Sequence, residues 1–365
     1  MQVLSYKSQP PLDWDNFILN SGEYSGLCQS SYWARVLSRV DNSIPVFLVV
    51  INNENKILAA LLFFHKTPWD RRTMKKQKGL KHYLLGNYKG WIEWLDGPVI
   101  KTKLNSMDRV KVMRLLLDEV CDYALKNRLM RSNFLGFPHI STMTKNMETK
   151  RLFKEYGYSS EKWGTFLVKL DFDEDYLWKQ IDRAARKNIN KCIKQGIRVT
   201  EAKSFEEFVL NFYNPYVFAE NAFGRQVDSI DVFKVMWEED VQGYYHYYYV
   251  KLQNDILATL GMYVFNGVAT EISSSLSPKA YEMKIPAQDL LHWHLLLEAK
   301  KMGCHTFDLA GVSPNPQNSK EEGIRRFKAK WGGEYVEYYR YELIRGVIPR
   351  AVNNLRAKYN QLCGK

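Results

Sequence analysis

One short stretch occurs twice. NKILAAL begins at Asn55 and returns as NDILATL at Asn254, each time inside an apolar run. The surroundings repeat as well. Around the first copy, residues 44–64 (IPVFLVVINNENKILAALLFF) read as two strands joined by an Asn-rich turn. From 244, YYHYYYVKLQNDILATLGMYVFNGVATEISSSL reads as three strands, turning at Gln-Asn-Asp and again at Asn266-Gly267, a strong hairpin signal. Each meander leads into a helical pattern, LLLDEVCDYA from Leu115 and LLHWHLLLEA from Leu290, and then a short strand, NFLGF and TFDLAG. We read this as an internal duplication in an α/β chain of α+β type. Its 365 residues exceed what a single core usually takes, so the expected domains are 1–170, joined by a C-terminal helix 346–365, and 171–345.

The two copies differ in length. Asn55 lies 60 positions before Leu115 but Asn254 only 36 before Leu290, and the surplus coincides with residues 66–90, which hold eight Lys or Arg and one Asp. That insertion reads as a basic loop. Between the copies, DEDYLWKQIDRAARKNINKCIKQG spaces Leu177, Ile181, Ala184, Ala185, Ile189 and Cys192 helically, with acids at its start and a Gly at its end. The second domain is expected to open with this helix. At the end of the chain, Ile348, Val352, Leu355, Tyr359 and Leu362 repeat at spacings of four and three in a helix whose charges are all basic. It docks back onto the body or contacts a membrane surface.

The net charge is +12, which favours partners that carry phosphate: nucleic acid, anionic lipid or a phosphorylated ligand. Five dispersed cysteines without CxxC spacing point to a reducing compartment, and the first residues lack the pattern of a signal peptide. The longest apolar run, ILAALLFF, is too short to span a bilayer. The expectation is a cytoplasmic monomer, soluble or peripheral to the inner face of the membrane. GxGxxG, GxxxxGK[ST], GxSxG and HExxH are all absent, and His292 and His294 are two apart on a predicted helix, so no metal or cofactor is expected.

Four features remain as candidates. In EEGIRRFKAKWGGEYVEYYR, from 321, Arg325, Arg326, Lys328 and Lys330 surround Phe327 ahead of a Gly332-Gly333 turn. Such a run is either a solvated basic turn or a lysine held where negative charge develops. Asp308 closes the strand TFDLAG, where it orients Lys328, meets an amine or caps the next turn. Arg183, Arg186, Lys187 and Lys191 lie at helical spacings as a basic ridge, solvated or tracking phosphates. The run YYHYYYV alternates faces, so Tyr247 and its neighbours cover a sheet or line an acceptor cleft.

Several of these segments together resemble the FemAB family of peptide-bridge aminoacyltransferases. FDLAGV followed by GIRRFKAKWGG is similar to that family's carboxyl-terminal signature, and LWKQIDRAARKNINKCIKQGIRV to its basic helix entering the second domain. LCQSSYWARVL, from Leu27, and WLDGPVI, from Trp94, resemble segments of its first domain. The resemblance implies two tandem acetyltransferase-like (GNAT) domains, each a mixed, largely antiparallel sheet flanked by helices. It also implies transfer of an aminoacyl group from aminoacyl-tRNA to an amine of a peptide or sugar-linked, cell-wall-precursor-like acceptor. Lys328 then meets the oxyanion, with Asp308 beside it. Phe327 would hold the lysine stem or stack on a terminal base of the donor, Arg183 and Arg186 would track the phosphates of the tRNA or of a nucleotide-linked acceptor, and Arg225 and Arg35, the latter just after Trp33, would contact precursor phosphates. Relatives in the same superfamily use acyl-CoA, whose pyrophosphate needs backbone N–H groups before the helix after the meander. Here SPKAYEMKIPAQDLL offers no glycine there, and Pro286 removes a donor, which favours the tRNA.

Overall fold

The computed structural model describes residues 1–20, 26–70, 75–76, 84, 89–136, 147–222, 224–346, 350–352 and 354–355. Most of the basic insertion and of the C-terminal segment therefore lies outside the described residues. The chain forms two compact units, Met1–Trp163 with Glu337–Lys365, and Gly164–Val336. The divisions fall inside strands rather than at 170/171 and 345/346, because the last residues of the chain's final strand pair within the first unit.

In the first unit, β1 (Gln2–Lys7), α1 (Trp14–Asn20) and α2 (Ser31–Val40) precede the apolar strands β2 (Ile44–Ile51) and β3 (Ile57–Lys66). A two-stranded ribbon, β4 (Trp69–Asp70) and β5 (Lys75–Lys76), falls in the basic insertion. Then come β6 (Trp91–Leu95), β7 (Val99–Ile100), α3 (Ser106–Lys126), β8 (Arg131–Leu135) and α4 (Met147–Glu155). The second unit takes β9 (Ser159–Lys169) from Gly164 onward, then α5 (Glu174–Gln180), α6 (Arg183–Lys194), β10 (Arg198–Glu201), α7 (Phe205–Phe208), α8 (Asn214–Ala222) and α9 (Ile230–Glu239). The meander β11 (Tyr245–Leu252), β12 (Asp255–Phe265) and β13 (Val268–Leu276) follows, and then α10 (Pro278–Glu282), α11 (Ala287–Lys301), β14 (Thr306–Asp308), α12 (Ser319–Ala329) and β15 (Glu334–Ile344).

The duplication is written in the sheets. The first unit orders its strands β1-β2-β3-β6-β8-β15 and the second β10-β11-β12-β13-β14-β9. In both, three antiparallel pairings are followed by one parallel pairing, β6 with β8 or β13 with β14, and then one antiparallel pairing. A parallel neighbour requires a crossover, which α3 and α11 supply. NKILAAL runs into β3 and NDILATL into β12, the third strand of each order. The basic insertion stands where the second unit has only the Asn266-Gly267 hairpin, both residues at positive φ (49° and 74°).

Each core forms where strand side chains meet the crossover helix. Val46, Leu48, Leu61 and Phe63 pack with Val112, Leu116 and Val120 of α3, while Val250, Leu257 and Leu260 pack with Leu291 and Leu295 of α11 and Ile189 of α6. The helix expected over 174–194 is two helices. Ile181 is extended (φ −73°, ψ 150°), the Asp182 N–H donates to Lys330 O (2.8 Å), and the Asp182 carboxylate caps α6 by accepting from Ala184 N–H (2.6 Å). A tertiary hydrogen bond and a cap thus overrode a continuous helical pattern.

In the first unit, β3 pairs with β7 at Ala59 and Ala60 and with β6 from Phe64, which leaves Leu62 between them. Gln29 fills the gap. Its amide oxygen accepts from Leu62 N–H (2.8 Å), and its amide nitrogen donates to Leu62 O (3.1 Å) and Leu95 O (2.6 Å), with the side chain fully buried. The segments at Leu27 and Trp94 therefore meet through a structural amide. Gln29→Leu orphans three buried backbone groups and should cost roughly 2–4 kcal/mol, read as a lowered urea midpoint at unchanged m-value.

Candidate active site

The parallel pairing of β13 and β14 ends at Thr270 opposite Asp308. One residue further on, Leu309 N–H still follows the β9 ladder by donating to Phe166 O (3.0 Å), but its pairing with β13 has ended, and β13 continues along β12. Two strands that part leave unpaired polar groups, which need partners. Lys328, in the last turn of α12, supplies them. Its ammonium donates to Leu309 O and to Gly311 O (3.2 Å) and pairs with Glu271 (3.0 Å), the residue after Thr270. The lysine side chain is 11% exposed and the glutamate 8%. Lys328 is thus a helical residue filling an opening in the sheet, and the solvated-turn reading of this segment does not hold.

Asp308 shapes the turn beside it. Its Oδ1 accepts from Ala310 N–H (2.8 Å), where Ala310 takes a positive φ of 59°, and lies 2.5 Å from Thr165 Oγ1. Of the three roles open to Asp308, the geometry is that of the cap: it holds the carbonyls that hold Lys328.

Glu271 reaches a second partner, His292 of α11, whose Nε2 is 3.1 Å from Glu271 Oε2. His292 stacks on Trp331 (5.3 Å, 14°) and meets Phe327 edge-on (4.8 Å). The Phe327 ring also carries the Lys330 ammonium at 3.8 Å from its centroid. Lys330 is ion-paired with buried Asp289, whose other oxygen accepts from Asn188 of α6 (2.7 Å). Burial holds the Lys330 ammonium below the usual lysine range, against the opposing pull of Asp289. Lys330 and Arg325 are therefore not free surface cations. Arg325 donates to Ser313 O and Pro314 O (both 3.1 Å) and stacks on Tyr335.

The other expected site residues are spread out. Arg186 donates to Trp178 O and Lys179 O (both 3.0 Å), closing the end of α5, whereas Arg183 and Lys187 are exposed on α6. Asn188 links that helix to the Lys330 cluster. Arg225 pairs with Glu220 (3.1 Å), and Arg35 belongs to the first unit, exposed on α2 beside Ser31 (3.2 Å). Tyr247 does not line a cleft. It is 3% exposed among Phe208 (4.5 Å), Phe212 (5.0 Å) and Trp237 (6.1 Å), because its side of β11 faces α7 and α9, and burial pushes its phenol up. A cavity of about 280 Å³ opens among Phe172, Tyr176, Gln180, Trp293 and Trp331, and Lys328 is not in its lining.

Glu271, His292 and Asp289 escaped sequence reasoning. The available signal was a carboxylate inside a strand and an Asp and His three apart ahead of the apolar run of a helix. Such residues stay buried only when paired.

The model of the FemAB family covers β12, β13, α11, β14 and α12. Residues 249–341 match the FemAB family. No curated protein matches the sequence. Among solved structures, FemX is similar over 96% of this chain and 99% of its own at 12% identity, with a TM-score of 0.72. A tandem GNAT protein from the clavulanic acid biosynthesis pathway is similar over 95% and 99% at 10% identity (TM-score 0.58), and L-PGS from Bacillus licheniformis over 94% of each chain at 13% (TM-score 0.55). The fold is a tandem pair of GNAT-like domains. The FemAB match and this fold together support an acyl- or aminoacyl-transfer enzyme. No helix among the described residues is long and apolar enough to cross a membrane.

Burial pushes Cys192 and Cys304 up to about 11, which keeps both protonated and inert at neutral pH. With Ellman's reagent at pH 8, at most three of the five thiols should react before denaturant is added. Gly332 has φ 76°, and a Cβ there would lie 2.9 Å from Gln180 Cβ and 3.0 Å from Gln180 O. Gly332→Ala should therefore cost about 1–3 kcal/mol, seen as a lowered Tm.

Proposed function

We propose that the protein is an N-acyltransferase that moves an aminoacyl group from aminoacyl-tRNA to an amine of a peptide or sugar-linked acceptor, with Lys328 as the cation for the oxyanion. The observation that carries this reading is the Lys328 ammonium, held by Leu309 O, Gly311 O and Glu271 where β13 and β14 part. The amine lone pair attacks the ester carbonyl carbon and forms a tetrahedral oxyanion. Collapse breaks the bond to the ribose oxygen, and the proton lost by the amine ends on that leaving oxygen. No covalent enzyme intermediate is required.

All three Lys328 hydrogens are engaged, so the oxyanion must take the place of one acceptor. The Gly311 contact, at 3.2 Å, is longer than that to Glu271, at 3.0 Å. Arg183 and Lys187, exposed on the helix that Asn188 ties to the site, suit the phosphates of the donor, as does the net charge of +12. Arg225, beside Glu220 in the second unit, is assigned to the acceptor's phosphates. A cytoplasmic monomer acting with no metal or organic cofactor is part of this reading.

Purified protein incubated with charged tRNA should deacylate it only when a suitable amine is present. Lys328→Ala should cut turnover by about 10²–10³, the effect of losing one oxyanion donor. Unchanged turnover in that variant would remove the assigned role. Thermal stabilisation by coenzyme A and not by tRNA would replace the donor with acyl-CoA.

A further inference from the structure

The hydrogen bonds around Glu271 determine how many protons the buried cluster holds. His292 Nδ1 lies 2.8 Å from Gln288 O, and a backbone carbonyl can only accept, so Nδ1 carries a hydrogen. His292 Nε2 lies 3.1 Å from Glu271 Oε2. An imidazole with its single hydrogen at Nδ1 would turn a lone pair toward a carboxylate there, two acceptors in contact. A hydrogen therefore lies between Nε2 and Oε2. Lys328 faces three acceptors, Leu309 O, Gly311 O and Glu271 Oε1, and so carries three hydrogens. Counted together, Lys328, Glu271 and His292 hold one positive charge, whichever of the two atoms owns the bridging hydrogen. The neighbouring carboxylate, Asp289, is engaged by Lys330 and Asn188.

We propose that His292 is a positioning residue which, through the hydrogen it shares with Glu271, orients the Lys328 ammonium and leaves the cluster net positive, ready for an anionic oxygen. A lysine–carboxylate pair alone would be neutral, and an incoming oxyanion would compete with the carboxylate for the same cation. With His292 on its far oxygen, Glu271 is shared between two donors and holds Lys328 less exclusively. Trp331 and Phe327 pin the imidazole from its face and its edge, so the ring cannot turn away. The aromatic residues beside Lys328 thereby gain a definite task. This inference rests on the transferase reading of Lys328, and its test separates the two.

Two readouts are needed. The first needs no activity: in protein labelled with ¹⁵N-lysine, the Lys328 ammonium, assigned by its loss in Lys328→Met, should give a slowly exchanging signal. His292→Phe, which fills the space without a donor, should abolish that signal, and His292→Gln, whose amide can donate to Glu271, should restore it. The second is turnover: His292→Phe should lower kcat about tenfold with little change in acceptor KM, His292→Gln should recover most of it, and His292→Phe in a Lys328→Met background should add nothing. An ammonium signal and turnover both indifferent to His292→Phe would overturn the proposal, as would an undiminished effect in the Lys328→Met background. A signal that depends on His292 in a protein whose turnover ignores Lys328→Met would instead remove the transferase role and leave the positioning intact. If His292→Phe does not fold, Glu271→Gln serves. Its amide can accept from Lys328 and donate to Nε2, so the slow signal should persist, and its loss would count against the proposal.

Discussion

The divergence of β13 and β14 after Thr270 and Asp308 is the constraint on which the rest of the second unit depends. A parallel pair that stops pairing leaves carbonyls without donors, and burial forbids water from replacing them at low cost. Lys328 answers that need by satisfying Leu309 O and Gly311 O, yet a buried ammonium requires a counter-charge, and Glu271 provides it from the next position of the other strand. The same lysine therefore closes the fold and brings the chemistry. Removing it would disturb both, so kinetic and stability measurements belong together at this position.

Around that wedge, each contact recruits another. His292 holds the far oxygen of Glu271, Trp331 and Phe327 hold His292, and Lys330 sits on Phe327 while paired with Asp289. Asn188 carries the chain of contacts to α6, whose outward face bears Arg183 and Lys187. Lys330 O receives the Asp182 N–H, and Gly332 lets the chain pass close to Gln180. Residues 330–332 are thus tied to the junction of α5 and α6, which explains why a glycine with positive φ follows a buried tryptophan.

The duplication was legible because it rests on local pattern. Apolar runs of strand length, Asn-rich turns and one helix per copy recur in order, and the two units repeat the same sequence of strand pairings. The exceptions have physical causes. Residues 174–194 have helical spacing throughout, but Asp182 gains more as a cap and a partner of Lys330 than as a mid-helix residue. Tyr247 alternates as a strand residue must, but only the helices packed on β11 decide that its side is buried among aromatic rings. The division between units fell inside β9 and β15 because strand pairing, not the helix pattern, assigns a strand to its sheet.

For the site, local pattern alone places a lysine between Phe327 and the Gly332-Gly333 turn, and Asp308 at the end of a short apolar strand. Charge, spacing and propensity are local, and those placements needed nothing more. The fold alone selects Glu271 for Lys328, His292 for Glu271 and, among the roles open to Asp308, the capping of a turn. These partners lie 57, 21 and 2 positions apart, and the longer two depend on strand register and helix crossing, which bring distant residues together only once the sheet has formed. A buried charge announces in the sequence that it needs a partner, and the fold selects which one.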